Sequence, residues 1–213
     1  MNILYIFAHP DRNSFNFAMK ERAVKVFNER QDSVQNSDLY EMDFNPILRP
    51  EDFKQRKYKQ FFNPFLEQLN AVKTNGFSED IRAEMNKVNW ADILIFQFPL
   101  YFTSVPAIMK GWIDRIFAAG FAFNPVKGEV YEKGLLKGKK ALLVITAGAD
   151  KKMYSPDGLH GDINELLRYI THCTFEFTGM EVLPSYIIYE TNQLSEEEGI
   201  DELEKYERFI ESL

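Results

Sequence analysis

The sequence has little from which to build a disulfide, a membrane span or a surface for nucleic acid. Cys173 is the only cysteine in 213 residues, so the chain forms no disulfide within itself. No apolar run reaches membrane-spanning length, and the first residues show neither a positive leader nor a cleavage-site pattern. A formal net charge of -7, without any basic cluster, repels phosphates. We therefore expect a cytoplasmic protein that binds no nucleic acid and does not insert into membranes.

Two nucleotide-binding motifs and the usual metal-ligand spacings are also missing. Neither Gly-x-Gly-x-x-Gly nor Gly-x-x-x-x-Gly-Lys-Ser/Thr occurs, which disfavours a dinucleotide-binding turn and a P-loop. His9, His160 and His172 lack the spacing of metal ligands, so we expect no metal site. Cys173 falls in an apolar helical pattern with Ile170, which predicts a buried thiol rather than a reactive one.

What the sequence does contain is an alternation of strand-like and helix-like segments, typical of a parallel sheet with helices on both faces. Five strands are predicted, at Asn2 to Ala8, Val34 to Tyr40, Asp92 to Phe98, Lys140 to Thr146 and Glu181 to Ile188. Such a set most often takes the flavodoxin-like order 2-1-3-4-5. We therefore predict an α/β three-layer sandwich with a single domain over residues 1–213. Extra short helices are expected between strands two and three, where Pro64 interrupts an aromatic segment.

The predicted order brings three loops to one crevice at the carboxyl edge of the sheet, where ligands bind in open α/β folds. The first loop, His9 to Asn16, leads into a helix whose free amides favour an anion. Asn13, Ser14 and Asn16 add polar contacts there. The alternative interpretation is an ordinary capped helix with a surface histidine.

The second loop follows the third strand and is aromatic. Pro99 ends the strand, and Tyr101 and Phe102 then offer flat faces for a flat ligand. Phe121 and Phe123, further along the chain, are better explained as core side chains. The loop therefore predicts a platform for an aromatic ligand.

The third loop combines small residues with proton donors. The small side chains from Thr146 to Asp150 let a ligand approach the backbone closely. Tyr154 and His160 are able to donate protons to such a ligand. In the alternative interpretation, Tyr154 only packs on the loop and His160 only precedes a helix. Taken together, an anion site, a flat platform, an accessible backbone and a donor pair indicate a redox cofactor such as a flavin nucleotide.

The same residues carry a resemblance to a known family over nearly the whole chain. The matching blocks, in order, are Ala8-His9, Ser14 to Glu21, Ser37 to Tyr40, Phe44 to Ile47, Phe96 to Leu100, Val105 to Trp112, Met153 to Ser155 and Gly158 to Asp162. In these blocks the chain resembles the NAD(P)H:quinone oxidoreductases of the DT-diaphorase type, which are flavodoxin-like flavoproteins.

The resemblance implies a flavin, FAD rather than FMN, and NAD(P)H as electron donor. The phosphates and ribityl chain would contact His9, Asn13, Ser14, Phe15, Asn16 and Ala18. The flavin ring would be lined by Pro99, Leu100, Tyr101, Phe102, Thr146, Ala147, Gly148, Ala149 and Tyr154. Tyr154 and His160 match the family's catalytic pair. The implied reaction is a two-electron, ping-pong hydride transfer from NAD(P)H through the flavin to a quinone. The resemblance also implies a homodimer, which exposed aromatic side chains at Phe102, Phe121, Phe123 and Tyr131 would suit.

Two departures from the family pattern affect the site. Thr146-Ala147-Gly148-Ala149 stands where the family has Thr-Thr-Gly-Gly, so a positive φ at Ala149 would be strained. Tyr101-Phe102-Thr103 stands where the mammalian enzymes have Gln-Trp-Phe, which predicts a different substrate choice. Azo or nitro compounds are alternative acceptors, and a flavin-binding regulatory subunit of a potassium-efflux system is an alternative function. A one-electron carrier like flavodoxin is disfavoured, because a carrier needs no substrate proton donors.

Overall fold

The computed structural model describes residues 1–213 and is built around one parallel sheet. Its strands are β1 Asn2–Phe7, β2 Ser33–Asp38, β3 Ile93–Pro99, β4 Lys140–Thr146, β5 Glu181–Val182 and β6 Tyr186–Ile188. The strand order is β2-β1-β3-β4-β5, with β6 also paired to β4. The predicted order is confirmed, and it places the loops after β1, β3 and β4 next to one another.

The prediction of one continuous fifth strand, Glu181 to Ile188, is wrong. Two short strands pair with β4 instead, and the register slips by one residue between Val182 and Tyr186. Pro184 lies in this interruption and has no amide hydrogen to donate to a neighbouring strand. The chain therefore bulges by one residue at this edge of the sheet.

Six helices cover the two faces of the sheet. They are α1 Phe15–Glu29, α2 Pro64–Thr74, α3 Glu79–Trp90, α4 Ala107–Ile116, α5 Ile163–Ile170 and α6 Glu196–Glu211. Alternate side chains of β1 belong to different cores, because successive residues of a strand point to opposite faces. Ile3, Tyr5 and Phe7 pack with α1 and α6, whereas Leu4 and Ile6 pack with α3, α4 and α5. None of the helices combines the length and apolar character that a membrane span needs.

The long connection between β2 and β3 contains the expected extra helices. Pro64 is the first residue of α2, and Asn63 caps that helix by accepting from the Leu66 amide at 3.2 Å. Arg115 of α4 then holds the connection in place through Asp52, at 2.8 Å. The connection is thus packed against the same core as the sheet.

The predicted burial of Cys173 is wrong, because the helix changes its period before that residue. Residues 171–175 form a π-helical turn after α5, so Phe175 follows Ile170 into the core at a spacing of five residues. An α-helical spacing would have brought residue 173 or 174 inward instead. Cys173 is consequently exposed.

Candidate functional site

Three loops meet at the carboxyl edge of the sheet, and we call them the β1 loop (residues 8–14), the β3 loop (100–106) and the β4 loop (147–162). Backbone hydrogen bonds join their bases. The Ala8 amide donates to the Gln97 carbonyl at 3.0 Å, and the Leu100 amide donates to the Thr146 carbonyl at 2.8 Å. The predicted crevice therefore has a continuous backbone floor.

The β1 loop and the start of α1 form a site suited to an anion. Ser14 caps the helix by accepting from the Phe17 amide at 3.2 Å, whereas the amides of Phe15 and Asn16 have no acceptor in the chain. The first turn of the helix contains no acidic residue. His9 Nδ1 lies 3.1 Å from both the amide nitrogen and the carbonyl oxygen of Asp11, and Nε2 is the ring nitrogen without a partner in the chain. These donors favour negative charge at the helix N-terminus.

Asn16 lies in the floor between the β1 loop and β4. Its Nδ2 donates to Thr146 Oγ1 at 2.8 Å, and its backbone carbonyl accepts from Gln97 Nε2 at 2.7 Å. Its Oδ1 is enclosed and has no hydrogen-bond partner. A buried acceptor without a donor costs about 1–3 kcal/mol, which a ligand hydroxyl or amide would remove. This part of the site fits a ligand such as a flavin, which carries donors along its ribityl chain.

The β4 loop folds back on itself and so brings Tyr154 and His160 together. Asp150 caps the short 3₁₀ helix Lys151–Tyr154, and the His160 amide donates to the Met153 carbonyl at 2.9 Å. Gly158 allows this close return, because a Cβ there would lie only 2.4 Å from the Lys152 carbonyl oxygen. The rings of Tyr154 and His160 have centroids 5.0 Å apart and planes inclined by 34°.

Tyr154 has a buried ring and a free hydroxyl. The residue is 8% exposed and its ring also lies 5.8 Å from that of Tyr189. Tyr154 therefore does pack on the loop, as the alternative interpretation of this residue assumed. Its hydroxyl nevertheless has no partner in the chain and is not an enclosed atom. Burial raises the pKa of Tyr154, which keeps its proton in place at neutral pH. His160 is exposed and precedes α5 by three residues.

The strain expected at Ala149 is absent. Neither Gly148 nor Ala149 has a positive φ, so the alanine is accommodated without cost. Gly148 does face a close neighbour, since a Cβ there would lie 2.9 Å from Asn192 Nδ2. Ala147 is buried and Ala149 is half-buried beside the core, so both side chains pack rather than project from the loop.

The β3 loop ends in a tight turn that exposes its aromatic side chains. Tyr101 and Ser104 exchange backbone hydrogen bonds at 3.0 and 2.9 Å, and the two residues between them have positive φ, +46° at Phe102 and +60° at Thr103. These values are those of a type I′ turn, which glycine or asparagine normally occupies. Phe102 is fully exposed, and Tyr101 is 44% exposed. The turn offers both rings to a ligand.

The other candidate side chains divide between the core and the surface. Pro99 and Leu100 are half-buried at the end of β3. Phe121 and Phe123 are half-buried and pack against the core, as expected for core side chains. They are not the exposed aromatic side chains that the dimer expectation assumed. Tyr131 is 40% exposed.

A groove continues from the β1 loop along α1. It has a volume of about 670 Å³ and is lined by Arg12, Asn13, Ser14, Phe17, Ala18, Glu21, Arg22, Lys25 and Leu203. Three of these side chains are cationic, and each pairs with a carboxylate of the chain. The groove therefore extends the anion site chiefly with apolar surface, from Phe17, Ala18 and Leu203.

Sequence reasoning missed Gln97, which is fully buried beneath the site. A signal was available, because Gln97 is the one polar side chain in the apolar run from Ile93 to Phe98. A polar residue in a strand that is buried on both faces needs a specific hydrogen-bond partner. Its partners here belong to α1 and β1.

Comparisons with known proteins agree with this architecture. Residues 1–210 match a family model described as having a flavodoxin-like fold. NAD(P)H dehydrogenase [quinone] 1 of Rattus norvegicus is 39% identical over 211 residues, which cover 99% of this chain and 76% of the rat protein. Ribosyldihydronicotinamide dehydrogenase [quinone] of Mus musculus is 41% identical over 197 residues, which cover 92% and 84% of the two chains. A solved structure of a candidate quinone reductase from Klebsiella pneumoniae superposes with a TM-score of 0.95 at 36% identity, over 100% of this chain and 84% of the other. The chain therefore belongs to the family of flavodoxin-like NAD(P)H dehydrogenases that includes these quinone-reducing relatives.

Proposed function

We propose that the protein is a flavin-dependent NAD(P)H dehydrogenase (quinone). The observation that carries the proposal is the Tyr154–His160 pair of the β4 loop, the loop that follows the strand end where Thr146 bonds to Asn16. The printed names of the rat and mouse relatives support the same activity. The bound flavin would accept two electrons from NAD(P)H and pass them to the quinone.

The residues of the chain divide the binding task among the three loops. The anion-binding donors of His9, Asn13, Ser14, Phe15 and Asn16 would hold the flavin phosphates and ribityl chain, with Ala18 in the adjoining groove. The ring would lie against the half-buried and exposed side chains of the β3 loop and the backbone of the β4 loop. The residues in those two loops are Pro99, Leu100, Tyr101, Phe102, Thr146, Ala147, Gly148 and Ala149.

Tyr154 and His160 would handle protons beside the ring. Because burial raises the pKa of Tyr154, its hydroxyl stays protonated and donates a hydrogen bond to negative charge on a neighbouring ring oxygen. A histidine side chain is able to donate or accept a proton at neutral pH, and His160 is open to solvent. The pair thus sets a protonated hydroxyl beside a histidine that is open to solvent.

We propose FAD rather than FMN as the cofactor. The support is the extent of the groove along α1, because a mononucleotide held at the helix N-terminus would leave the apolar side chains of Phe17, Ala18 and Leu203 without a ligand. Arg22 and Lys25 lie further along the groove and already pair with Glu207. The adenosine of FAD would pack against the apolar side chains.

We also propose that the chain works in the cytoplasm as one flavin-binding domain over residues 1–213, paired in a homodimer. An apolar groove of about 440 Å³ beside α4, with Leu48, Phe65 and Ile113 among its lining residues, supports contact with a second copy. The net negative charge supports the absence of a nucleic-acid partner.

The test starts from the purified protein. It should be yellow, or become so when FAD or FMN is added to the apoprotein, and it should oxidise NADH or NADPH when a small soluble quinone is present. An azo dye and a nitroaromatic compound, assayed under the same conditions, distinguish the alternative acceptors. Protein that binds neither flavin contradicts the proposal, and so does flavin-loaded protein that reduces none of these acceptors.

A further inference from the structure

A chain of buried hydrogen bonds runs beneath the site from α6 to the end of β4. The hydroxyls of Tyr206 and Tyr5 are 2.9 Å apart, and Tyr5 also bonds to Oε1 of Gln97. Gln97 Nε2 donates to the Asn16 carbonyl at 2.7 Å, and Asn16 Nδ2 donates to Thr146 Oγ1 at 2.8 Å. Each of the five residues is at most 6% exposed. We call these five residues the buried network.

The chemistry of the groups fixes the direction of every bond in the buried network. Gln97 Oε1 only accepts, so the single hydroxyl proton of Tyr5 goes to it. Tyr206 must therefore donate to Tyr5. The amides of Gln97 and Asn16 donate onward in the same sense, from α6 toward β4. From Tyr206 to the Asn16 carbonyl, hydrogen bonds that point the same way polarise and strengthen one another. Burial raises the pKa of both tyrosines, so these protons stay in place at neutral pH.

The end of the buried network at the crevice presents one free donor and one free acceptor. Thr146 Oγ1 accepts from Asn16, so its own proton remains available. Asn16 Oδ1 is enclosed without a partner. A hydroxyl group of a ligand both donates and accepts, and so would satisfy the two atoms together.

We propose that Tyr206, Tyr5 and Gln97 are positioning residues that fix Asn16 and Thr146 for the hydroxyl-bearing chain of the flavin. This inference rests on the proposed function. Phenylalanine in place of either tyrosine would keep the ring packing of this apolar face. The two hydroxyls bond only to each other and to Gln97. Their effect therefore reaches the site through Gln97.

The test measures the dissociation constants of FAD and FMN from the apoproteins of Tyr5→Phe and Tyr206→Phe. Tyr5→Phe leaves Gln97 Oε1 without its donor and should raise the constant of the preferred flavin about tenfold. Tyr206→Phe should raise it about threefold, and the double variant should match Tyr5→Phe alone, because Tyr206 acts only through Tyr5. Gln97→Met removes both bonds of that side chain at similar volume, and it should weaken binding at least as much as Tyr5→Phe.

Tyr186→Phe is the matched control. The Tyr186 ring packs 5.1 Å from that of Tyr206, yet its hydroxyl has no bond to the buried network. Its flavin constant should stay within about twofold of the wild type. If Tyr5→Phe and Tyr206→Phe lower the melting temperature of the apoprotein but leave flavin binding within the same limit, the network is only structural and the inference is wrong.

A second readout needs no flavin. In ¹⁵N-labelled apoprotein, the side-chain amide resonances of Asn16 should shift in Tyr5→Phe and Tyr206→Phe and stay in place in Tyr186→Phe. Unchanged resonances in both variants would also overturn the inference. Wild-type protein that binds neither flavin refutes the proposed function, and the Asn16 resonances alone then decide whether the network positions that side chain.

Discussion

Two groups of polar side chains in this molecule differ in where their hydrogen-bond partners lie. The ion-pair cluster of Arg115, Asp52 and Asp80 is complete within the chain. Arg115 is 2% exposed and reaches Asp52 at 2.8 Å, Asp80 at 2.7 Å and the Asn45 carbonyl at 2.9 Å. The Tyr154–His160 pair is open, because His160 is exposed and the Tyr154 hydroxyl, which is not enclosed, has no partner within the chain.

The difference separates polar groups that support the fold from polar groups that remain free to bind a ligand. A buried charge is tolerated only when it is paired and hydrogen-bonded, so each partner in the ion-pair cluster supports the fold. At the Tyr154–His160 pair, the loop positions the side chains without filling their hydrogen-bonding capacity. Substitutions in the cluster should therefore reduce stability, and substitutions in the pair should reduce activity.

The largest expected effect comes from removing the centre of the ion-pair cluster. Arg115→Met leaves Asp52 as a buried carboxylate without its partner and should lower the free energy of unfolding by about 3–5 kcal/mol in urea denaturation. Lys110→Met is the control on the same helix, since Lys110 pairs with Asp114 at the surface. That loss should be below about 1 kcal/mol. Equal losses in both variants would contradict the distinction between a buried and an exposed pair.

The next effect separates activity from stability. Tyr154→Phe removes only the free hydroxyl and should lower kcat for quinone reduction about 100-fold, because a positioned proton donor is lost. The unfolding free energy should change by less than about 0.5 kcal/mol, since that hydroxyl bonds to nothing in the chain. Tyr189→Phe, on the neighbouring ring, serves as control and should leave kcat within about threefold. An unchanged rate in Tyr154→Phe removes the hydroxyl from the mechanism.

A smaller effect should follow from a substitution that displaces His160 relative to Tyr154 and leaves both side chains unchanged. Gly158→Ala forces a Cβ against the carbonyl oxygens of Lys152 and Met153, at 2.4 and 2.5 Å, so the loop must open and His160 must shift. We expect about a tenfold lower rate and about 1–3 kcal/mol less stability, by steady-state kinetics and urea denaturation. Gly199→Ala in α6 meets only the Phe15 ring at 3.8 Å and should stabilise the protein by about 0.5–1 kcal/mol. A Gly158→Ala rate equal to that of the wild type would show that the loop tolerates the displacement.

The smallest effect concerns the outer member of the ion-pair cluster and depends on pH. Burial alone would raise the pKa of Asp80, but hydrogen bonds from Ser78 and Arg115 and the charge of Arg115 outweigh it and lower the pKa. A carboxyl group with a lowered pKa stabilises the fold above its unfolded-state pKa of about 4, and that contribution is lost as the pH falls through the folded-state pKa. Because Asp80 is half exposed, Asp80→Asn should cost less than about 1 kcal/mol at pH 7, and it should cost less at pH 3 than at pH 7. Urea midpoints at the two pH values test this, and a cost that does not fall between pH 7 and pH 3 would contradict it.

The parts of the fold that follow from local pattern were predictable. β1, β3 and β4 are continuous apolar runs, because both faces of a parallel strand are covered. Ser14 caps α1 as its position before an amphipathic segment indicates. Tyr154 and His160 came from the β4-loop motif, and the structure brings their rings together.

The parts of the fold that depend on tertiary contacts were not predictable from the sequence. The bulge at Pro184 and the π-helical turn that ends at Phe175 each insert one residue. Each insertion changes which of the following residues face the core, so a regular hydrophobic period no longer predicts their burial. The buried network joins Tyr5 to Tyr206 across 201 residues of sequence. No local signal pairs two such positions, although Gln97 in an apolar strand showed that a polar partner had to exist.

The turn at Phe102 and Thr103 has a consequence for engineering. Both residues occupy the left-handed region of backbone conformation, which is strained for a β-branched residue such as threonine. A protein engineer seeking a higher melting temperature would choose Thr103→Gly first and expect a gain of about 1 kcal/mol. The same change would loosen the support of the fully exposed Phe102 ring. A screen for thermostability at this turn would therefore favour variants in which the Phe102 ring is held less rigidly. Such variants should be assayed for the range of electron acceptors that they reduce before they are combined.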